Sequence, residues 1–209
     1  MFKKEKGMSL VEAMMAITIF SIGMIGFSML FLNSWRTNSF ALEMGRTSMA
    51  VSQGMGKMVN YIRGTRQADN GSYPVKSAND NDLVLYSDYD NDGDTERLHF
   101  YKSGSSVFLG VTDPSGTIPK SYQTGDQQVA TIANSIVNLS TEPIFYYYGK
   151  DFAGDEVASP ALATPASVSE IRLVKIHLKI NIDPYHAPDN IELQSFVEMR
   201  NLNDYDRLK

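Results

Sequence analysis

An apolar run of 25 residues, 8–32, is the feature that most constrains this chain. It contains one ionisable residue, Glu12, and no proline. A helix of about 25 residues, at 1.5 Å per residue, can cross a hydrocarbon core of about 30 Å with some tilt. Lys3, Lys4 and Lys6 precede the run, and lysines favour the cytoplasmic side of a membrane. The sequence therefore predicts a single-pass membrane protein with a short cytoplasmic N-terminus and an extracytoplasmic C-terminal domain.

The glutamate inside this run needs an explanation. A secretory signal has an apolar region of about 7–15 residues followed by a small-residue cleavage site, and this run is longer and lacks such a site. A carboxylate in the membrane costs a few kcal/mol unless it is paired, so Glu12 is a functional hypothesis. The plain alternative is a side chain that snorkels to the cytoplasmic interface of an ordinary anchor.

Residues 6–13, KGMSLVEA, resemble the class III signal of type IV prepilins and type II secretion pseudopilins. The resemblance implies that a prepilin peptidase cleaves the Gly7–Met8 bond, that Met8 becomes N-methylated, and that Glu12 acts in assembly. It also implies other pilin or pseudopilin subunits and an inner-membrane assembly platform as partners. The helix macrodipole favours a carboxylate at this place by only about 0.3–1 kcal/mol. We therefore expect the Met8 amine of a neighbouring subunit to pair with Glu12 in a cell-surface or periplasmic filament.

Departures from the usual family pattern favour a minor subunit over a major one. Major pilins often carry a proline in the apolar stretch, whereas the first proline here is Pro74, and Met8 stands where Phe is usual. The chain also lacks the cysteines that close the C-terminal loop of some pilins. The order of its parts resembles J-type pseudopilins and W-type minor pilins, with a strand–acidic turn–strand at 83–101, an aromatic strand at 145–148 and a closing segment at 197–202.

The rest of the sequence predicts an α+β fold, in which a long helix from Met8 to Arg63 packs on a mostly antiparallel sheet. Apolar residues recur at helical spacing up to Arg63, and Gly64 makes a plausible helix end. We divide the chain into a leader peptide, a transmembrane and assembly helix, an amphipathic helical spine and a β-rich globular domain: 1–7, 8–32, 33–64 and 65–209.

Strand and loop patterns fill the C-terminal part. The predicted strands are 82–86, 97–102, 105–111, 129–139 (a strand or a short helix), 142–148, 169–182 and 191–199. Turn-forming residues predict loops at 69–81, 113–116, 151–167 and 183–190. On the helix, Trp35 is either an interfacial aromatic or a side chain packed under the sheet. The methionines of the spine are interpreted as core residues: Met44, Met49, Met55 and Met58.

The sharpest polar pattern lies between the first two predicted strands. Acidic side chains alternate there: Asp88, Asp90, Asp92, Asp94 and Glu96. With Gly93, this satisfies the first half of an EF-type calcium loop. The second half fails, because His99 stands where a bidentate glutamate belongs and no flanking helices are predicted. Two interpretations stay open, a calcium site at a hairpin tip and an acidic, solvated turn.

Composition and motifs argue against other classes. The absence of cysteine excludes disulfides, a thiol nucleophile and a thiolate metal site. His99, His177 and His186 lack metal-ligand spacing, and no nucleophile elbow, P-loop or dinucleotide fingerprint is present. Removing residues 1–7 takes away three lysines and one glutamate, so the formal charge changes from -5 to -7, which disfavours direct nucleic-acid binding.

We therefore expect no enzymatic activity and no cofactor apart from the calcium considered above. The alternative to a pilin-like subunit is a single-pass, membrane-anchored surface binding module, calcium-dependent in one form, in which Glu12 is incidental.

Overall fold

The computed structural model describes residues 7–183 and 190–202. A single helix, α1, runs through Leu10–Arg63. It begins two residues later than the predicted start at Met8 and ends at the predicted residue. The chain divides into two compact units within this helix, between Glu43 and Met44. The predicted basic cluster of the leader and the predicted turn around Pro184 and Pro188 lie outside the described residues.

The first unit is the helix up to Glu43, and its apolar side chains are exposed. The helix contains a stretch long and apolar enough to cross a membrane, and none of that stretch is buried within the chain. An N-terminal apolar helix of this kind fits a membrane anchor. Trp35 is 63% exposed, and its ring centroid lies 6.3 Å from that of Phe31. The alternative that Trp35 packs under the sheet is therefore wrong.

In the described part of the second unit, ten strands follow α1. They are β1 (Val75–Ala78), β2 (Asp82–Ser87), β3 (Glu96–Ser103), β4 (Ser106–Thr112), β5 (Pro114–Ser115), β6 (Ser121–Tyr122), β7 (Gln128–Ala133), β8 (Phe145–Tyr148), β9 (Leu173–Ile180) and β10 (Ile191–Glu198). A short 3-10 helix, Arg200–Leu202, follows them. The strands form three antiparallel sheets, ordered β1-β2-β3-β4-β7, β10-β9-β8 and β5-β6. The predicted α+β class is confirmed.

One hydrophobic core joins the end of α1 to both large sheets. Alternate residues of the strands enter it, because successive side chains of a strand point to opposite faces. From α1 the core takes Val51, Met55, Met58 and Ile62; from β2 and β3 it takes Leu83, Leu85, Leu98 and Phe100; from β8 and β9 it takes Phe145, Tyr147, Val174, Ile176 and Leu178. The prediction for the spine methionines is confirmed for Met44, Met55 and Met58, and it is wrong for Met49, which is 69% exposed.

The helix and β7 approach each other closely at one glycine. A Cβ built on Gly54 would overlap the carbonyl oxygen of Ile132. Only a residue without a side chain lets the two backbones come this near. Gly56, two residues on, has no neighbouring atom within 4 Å of such a Cβ. Gly54 therefore has a packing role, whereas Gly56 has no steric requirement for glycine.

Two of the predicted loops contain strands. The segment 69–81 was predicted as a loop, but Val75–Ala78 forms β1 and pairs with β2. The predicted turn 113–116 contains β5, which pairs with β6. Both strands are short and lack the run of β-branched and aromatic residues that identifies a strand in a sequence. Their partners, rather than their own composition, place them in sheets.

The other strand predictions are confirmed within a few residues by β2, β3, β4, β8, β9 and β10. The ambiguous segment 129–139 is a strand over Gln128–Ala133. The predicted exposed loop 151–167 contains no helix or strand. Its C-terminal end, however, packs against the sheet, because Ala166 is only 6% exposed and its N–H donates to the Ala78 carbonyl at 2.8 Å.

Candidate assembly site at the helix N-terminus

The start of α1 is closed by two reciprocal hydrogen bonds. The Ser9 N–H donates to Oε2 of Glu12 at 2.9 Å, and the Glu12 N–H donates to Oγ of Ser9 at 3.3 Å. This is a capping box, in which two of the N–H groups that a helix leaves unpaired at its start are satisfied by side chains. The Ala13 N–H then begins the helical ladder by donating to the Ser9 carbonyl at 3.1 Å. The cap explains why the helix begins at Leu10 and not at Met8.

The predicted processing residues lie immediately before this cap. Met8 is 67% exposed and Gly7 is exposed. A Cβ built on Gly7 would have no atom within 4 Å, and the φ of Gly7 is not in the left-handed region. Nothing in the described fold therefore requires a glycine at this position. Gly7, Met8 and Glu12 lie within six consecutive residues. The predicted assembly site is therefore local in sequence and includes no residue from the C-terminal domain.

Ser9 is the residue that sequence reasoning missed. The pattern Ser-x-x-Glu ahead of an apolar run is a recognised sequence signal for a capping box, and Ser9 and Glu12 satisfy it. The helix macrodipole accounts only for the favourable position of the Glu12 charge near the helix N-terminus. The geometry adds a specific hydrogen bond to that diffuse effect, and it gives the carboxylate a fixed place at the helix start.

The predicted acidic loop, residues 88–95 between β2 and β3, is held by a cation from the segment after α1. The guanidinium of Arg66 donates to the carbonyl oxygens of Gly93 at 2.8 Å and Asp94 at 2.5 Å, and to Oγ1 of Thr95 at 2.8 Å. It also lies 3.4 Å from Oδ2 of Asp88. Arg66 thus supplies positive charge and backbone contacts at the centre of the loop.

A second cation and local turns engage the remaining acids. Lys120 forms ion pairs with Asp94 and, at 3.3 Å, with Asp69. Oδ1 of Asp90 accepts the N–H of Asp92 at 3.2 Å, and Oδ1 of Asp92 accepts the N–H of Asp94 at 2.8 Å. Side chains that accept an N–H two residues on are typical of tight turns. The Asp side chains of this loop therefore serve its turn geometry, which agrees with the acidic-turn interpretation and leaves the calcium interpretation untested.

Glu96 is the buried member of the acidic series. It is 3% exposed, and its Oε2 accepts the Tyr89 N–H at 2.6 Å. Burial raises the pKa of the Glu96 carboxyl to about 7, and the charges of Asp90 and Asp92 act in the same direction. The N–H donors of Tyr89 and of Glu96 itself act in the opposite direction and lower the pKa. A buried carboxylate beside other carboxylates is stabilised in its ionised form by a cation.

The structure brings together some of the predicted calcium ligands and not others. One carboxylate oxygen from each of Asp88, Asp90 and Glu96 lies within 4.8 Å of the others. Oδ1 of Asp88 is buried, and within the described residues it has no hydrogen-bond partner. Asp92 and Asp94 are not part of this group. Oxygen ligands of this kind suit Ca²⁺, and calcium binding stays a prediction.

The histidines occupy unrelated places on the sheets. His99 lies between two carboxylates, with Nδ1 2.9 Å from Oδ2 of Asp126 and Nε2 2.7 Å from Oδ2 of Asp82. His177 lies 3.6 Å from Oε2 of Glu192. His186 lies outside the described residues.

A comparison with protein families bears on the N-terminal site. A family model described as the prokaryotic N-terminal methylation motif matches residues 2–28. The matched segment contains Gly7, Met8, Ser9 and Glu12 and most of the apolar run. None of the curated proteins compared with the chain matches it. Together with the exposed apolar helix, the motif supports a type IV pilin-like protein, with the processing and N-terminal assembly typical of that class.

Proposed function

We propose that this chain is a minor pilin or pseudopilin subunit of the J or W type. A prepilin peptidase cleaves it after Gly7, Met8 becomes the methylated N-terminus, and the apolar helix then assembles with other subunits into a type IV pilus or a type II secretion pseudopilus. The observation that carries the proposal is the coincidence of two features. The methylation-motif match over residues 2–28 falls on the capped start of a long, exposed apolar helix.

The local structure around Gly7 supports recognition by a peptidase. Nothing in the described fold approaches a Cβ at this position, so the glycine is not explained by packing or by backbone strain. A glycine is useful where another protein must approach the backbone closely. Met8 and the cap follow directly, so cleavage at Gly7–Met8 would leave the new amine one residue before Ser9.

The exposed helix supports assembly. The large apolar side chains between Leu10 and Leu32 are exposed, and several are more than 60% exposed, including Ile19, Phe20 and Phe27. In the unassembled subunit lipid covers this surface, and in a filament the helices of neighbouring subunits replace the lipid. We propose that the inner-membrane assembly platform carries out this exchange, with the C-terminal domain on the extracytoplasmic side.

The proposal is tested by the N-terminus of the protein isolated from its host. Mass spectrometry is expected to find methyl-Met8 as the first residue. Gly7→Ala is expected to abolish cleavage, whereas Gly23→Ala, also at a position with open space around it, is expected to leave cleavage unchanged. Recovery of a mature protein that begins at Met1 would contradict the proposal and favour an anchored binding module.

A membrane-anchored, calcium-dependent binding module is the second candidate, and the group formed by Asp88, Asp90 and Glu96 favours it. The two candidates differ at Glu12. A binding module keeps its anchorage and its ligand when Glu12 is replaced by alanine, whereas a pilin-like subunit fails to assemble.

A further inference from the structure

A cavity of about 320 Å³ lies beside the five-stranded sheet, on the face turned away from the core. Leu98 and Phe100 of β3 are fully buried in the core, so Arg97 and His99 point to the opposite face. One wall of the cavity is the segment 122–126, which lies over this face. Such a volume is at the lower end of the range for small-ligand pockets, about 300–1,000 Å³.

Arg97 brings a buried positive charge to this cavity. Arg97 is only 6% exposed. Nη1 donates to the Gln123 carbonyl at 2.8 Å, and Nη2 donates to Oγ1 of Thr112 at 2.8 Å and to the Gly125 carbonyl. These acceptors are all neutral, and among the described residues no carboxylate forms an ion pair with Arg97. A buried charge without a counter-charge is unfavourable, so this arrangement favours an anion nearby.

The other charged groups around the cavity do not supply that anion. Lys76 is exposed, lines the cavity and forms no ion pair within the described part of the chain. The carboxylate of Asp126 also lines it, but Oδ2 lies 2.9 Å from Nδ1 of His99. Gly110 permits this position, because a Cβ there would overlap the Asp126 carboxylate. The Asp126 carboxylate is thus directed to His99 and not to a cation of the cavity. Within the described residues, the positive charges of Lys76 and Arg97 therefore remain available to bind an anion.

We propose that this cavity binds a carboxylate group, with Lys76 and Arg97 as the charged contacts and the side chains of Gln123 and Thr124 as neutral donors. The group belongs either to a small free acid or to an acidic side chain of another polypeptide. Both offer the same planar oxyanion to an ammonium and a guanidinium. The site is separate from the N-terminal assembly function and does not depend on it.

The test uses the full chain in detergent micelles, with backbone amide NMR shifts followed during titration. Glutarate is the small-acid probe, glutaramide is its uncharged match, and a short peptide rich in glutamate is compared with the same peptide carrying glutamine. We expect saturable shifts in the amides of 123–126 with a Kd on the order of 1 mM, a typical weak affinity. The affinity should fall as salt is raised, because salt screens charges that solvent can reach.

Lys76→Gln carries the mutational test, because it lies at the surface, whereas Arg97 also holds the loop carbonyls and its loss risks the fold. We expect Lys76→Gln to weaken binding about tenfold, the loss typical of one charged hydrogen bond. Lys102→Gln is the matched control, since Lys102 lines a neighbouring cavity and not this one, and it should bind like the unmodified chain.

A response to glutarate alone assigns the site to small acids, and a response to both acidic probes assigns it to the carboxylate in general; either outcome supports the proposal. Equal responses to glutaramide, unchanged affinity in Lys76→Gln, or the absence of any saturable shift would overturn it.

Discussion

Replacing the buried Glu96 by glutamine should change how stability depends on pH. Burial raises the pKa of Glu96 from 4.5 to about 7, so the folded protein binds this proton more tightly than the unfolded chain does. The stabilisation from the proton is complete below about pH 4.5 and is lost as the pH rises through about 7. A shift of this size corresponds to about 3 kcal/mol, which is roughly 6–12 °C in Tm for a chain of this length.

Differential scanning calorimetry of the full chain in detergent, with divalent cations chelated, measures this effect between about pH 5 and pH 8. The Tm of the unmodified chain should fall as the pH rises across this range. The Tm of Glu96→Gln should not change, because an amide oxygen still accepts the Tyr89 N–H and the amide does not titrate. Glu170→Gln is the control, since Glu170 is exposed, and it should follow the unmodified chain. Equal slopes for the unmodified chain and Glu96→Gln would refute the assignment of the titration to this carboxyl.

Three other predictions address packing, assembly and metal binding. Gly54→Ala should lower the free energy of unfolding by about 1–3 kcal/mol, because the new Cβ would overlap the Ile132 carbonyl. Gly56→Ala should raise the free energy of unfolding by up to about 1 kcal/mol, because alanine favours a helix more than glycine does. Urea unfolding measures both changes, and the same sign for the two would contradict this prediction. Glu12→Gln keeps the helix cap and removes the charge, so it should leave helix content unchanged yet abolish filament assembly, and assembly comparable with the unmodified subunit would exclude a role for the charge. Addition of about 1 mM calcium, a concentration that saturates sensor-type sites, should raise the Tm of the unmodified chain but not of Glu96→Gln, and no change in either would favour an acidic turn without metal.

The sequence predicts best those parts of the fold whose pattern is local. The alternation in β9 identifies a strand with one buried face, and the apolar run predicts a helix by length alone. The sequence does not predict those segments whose conformation depends on contacts with a distant part of the chain. Val75–Ala78 is too short and too polar to identify as a strand, and it becomes one because β2 offers its edge. Met49 follows the apolar pattern of the spine but lies on the exposed side of α1, since the core reaches only one stripe of the helix.

The acidic loop shows the same limit at a candidate site. Its alternating carboxylates are visible in the sequence, but the cations that engage them come from Arg66 and Lys120. Both lie more than twenty residues from the carboxylates they contact, and no local pattern links them. The burial of Glu96 likewise depends on where β3 enters the sheet. The sequence could therefore predict the charge of this loop, but neither its anchoring nor its buried member.

The helix cap bears on the proposed role of Glu12 in assembly. From sequence alone, the cost of an unpaired carboxylate in the membrane predicts a neighbour's amine as the partner of Glu12. The structure shows that Glu12 already accepts the Ser9 N–H in the single chain at 2.9 Å, which offsets part of that cost before assembly. A carboxylate has about four acceptor positions, so the cap leaves room for a second donor. The cap holds Glu12 in place in the single chain. If Glu12 pairs with the Met8 amine of a neighbour, as proposed, less side-chain freedom is therefore lost when the pair forms. In the proposed filament this charge pair would select the register of the subunits, and the cap would lower the cost of Glu12 in lipid before assembly.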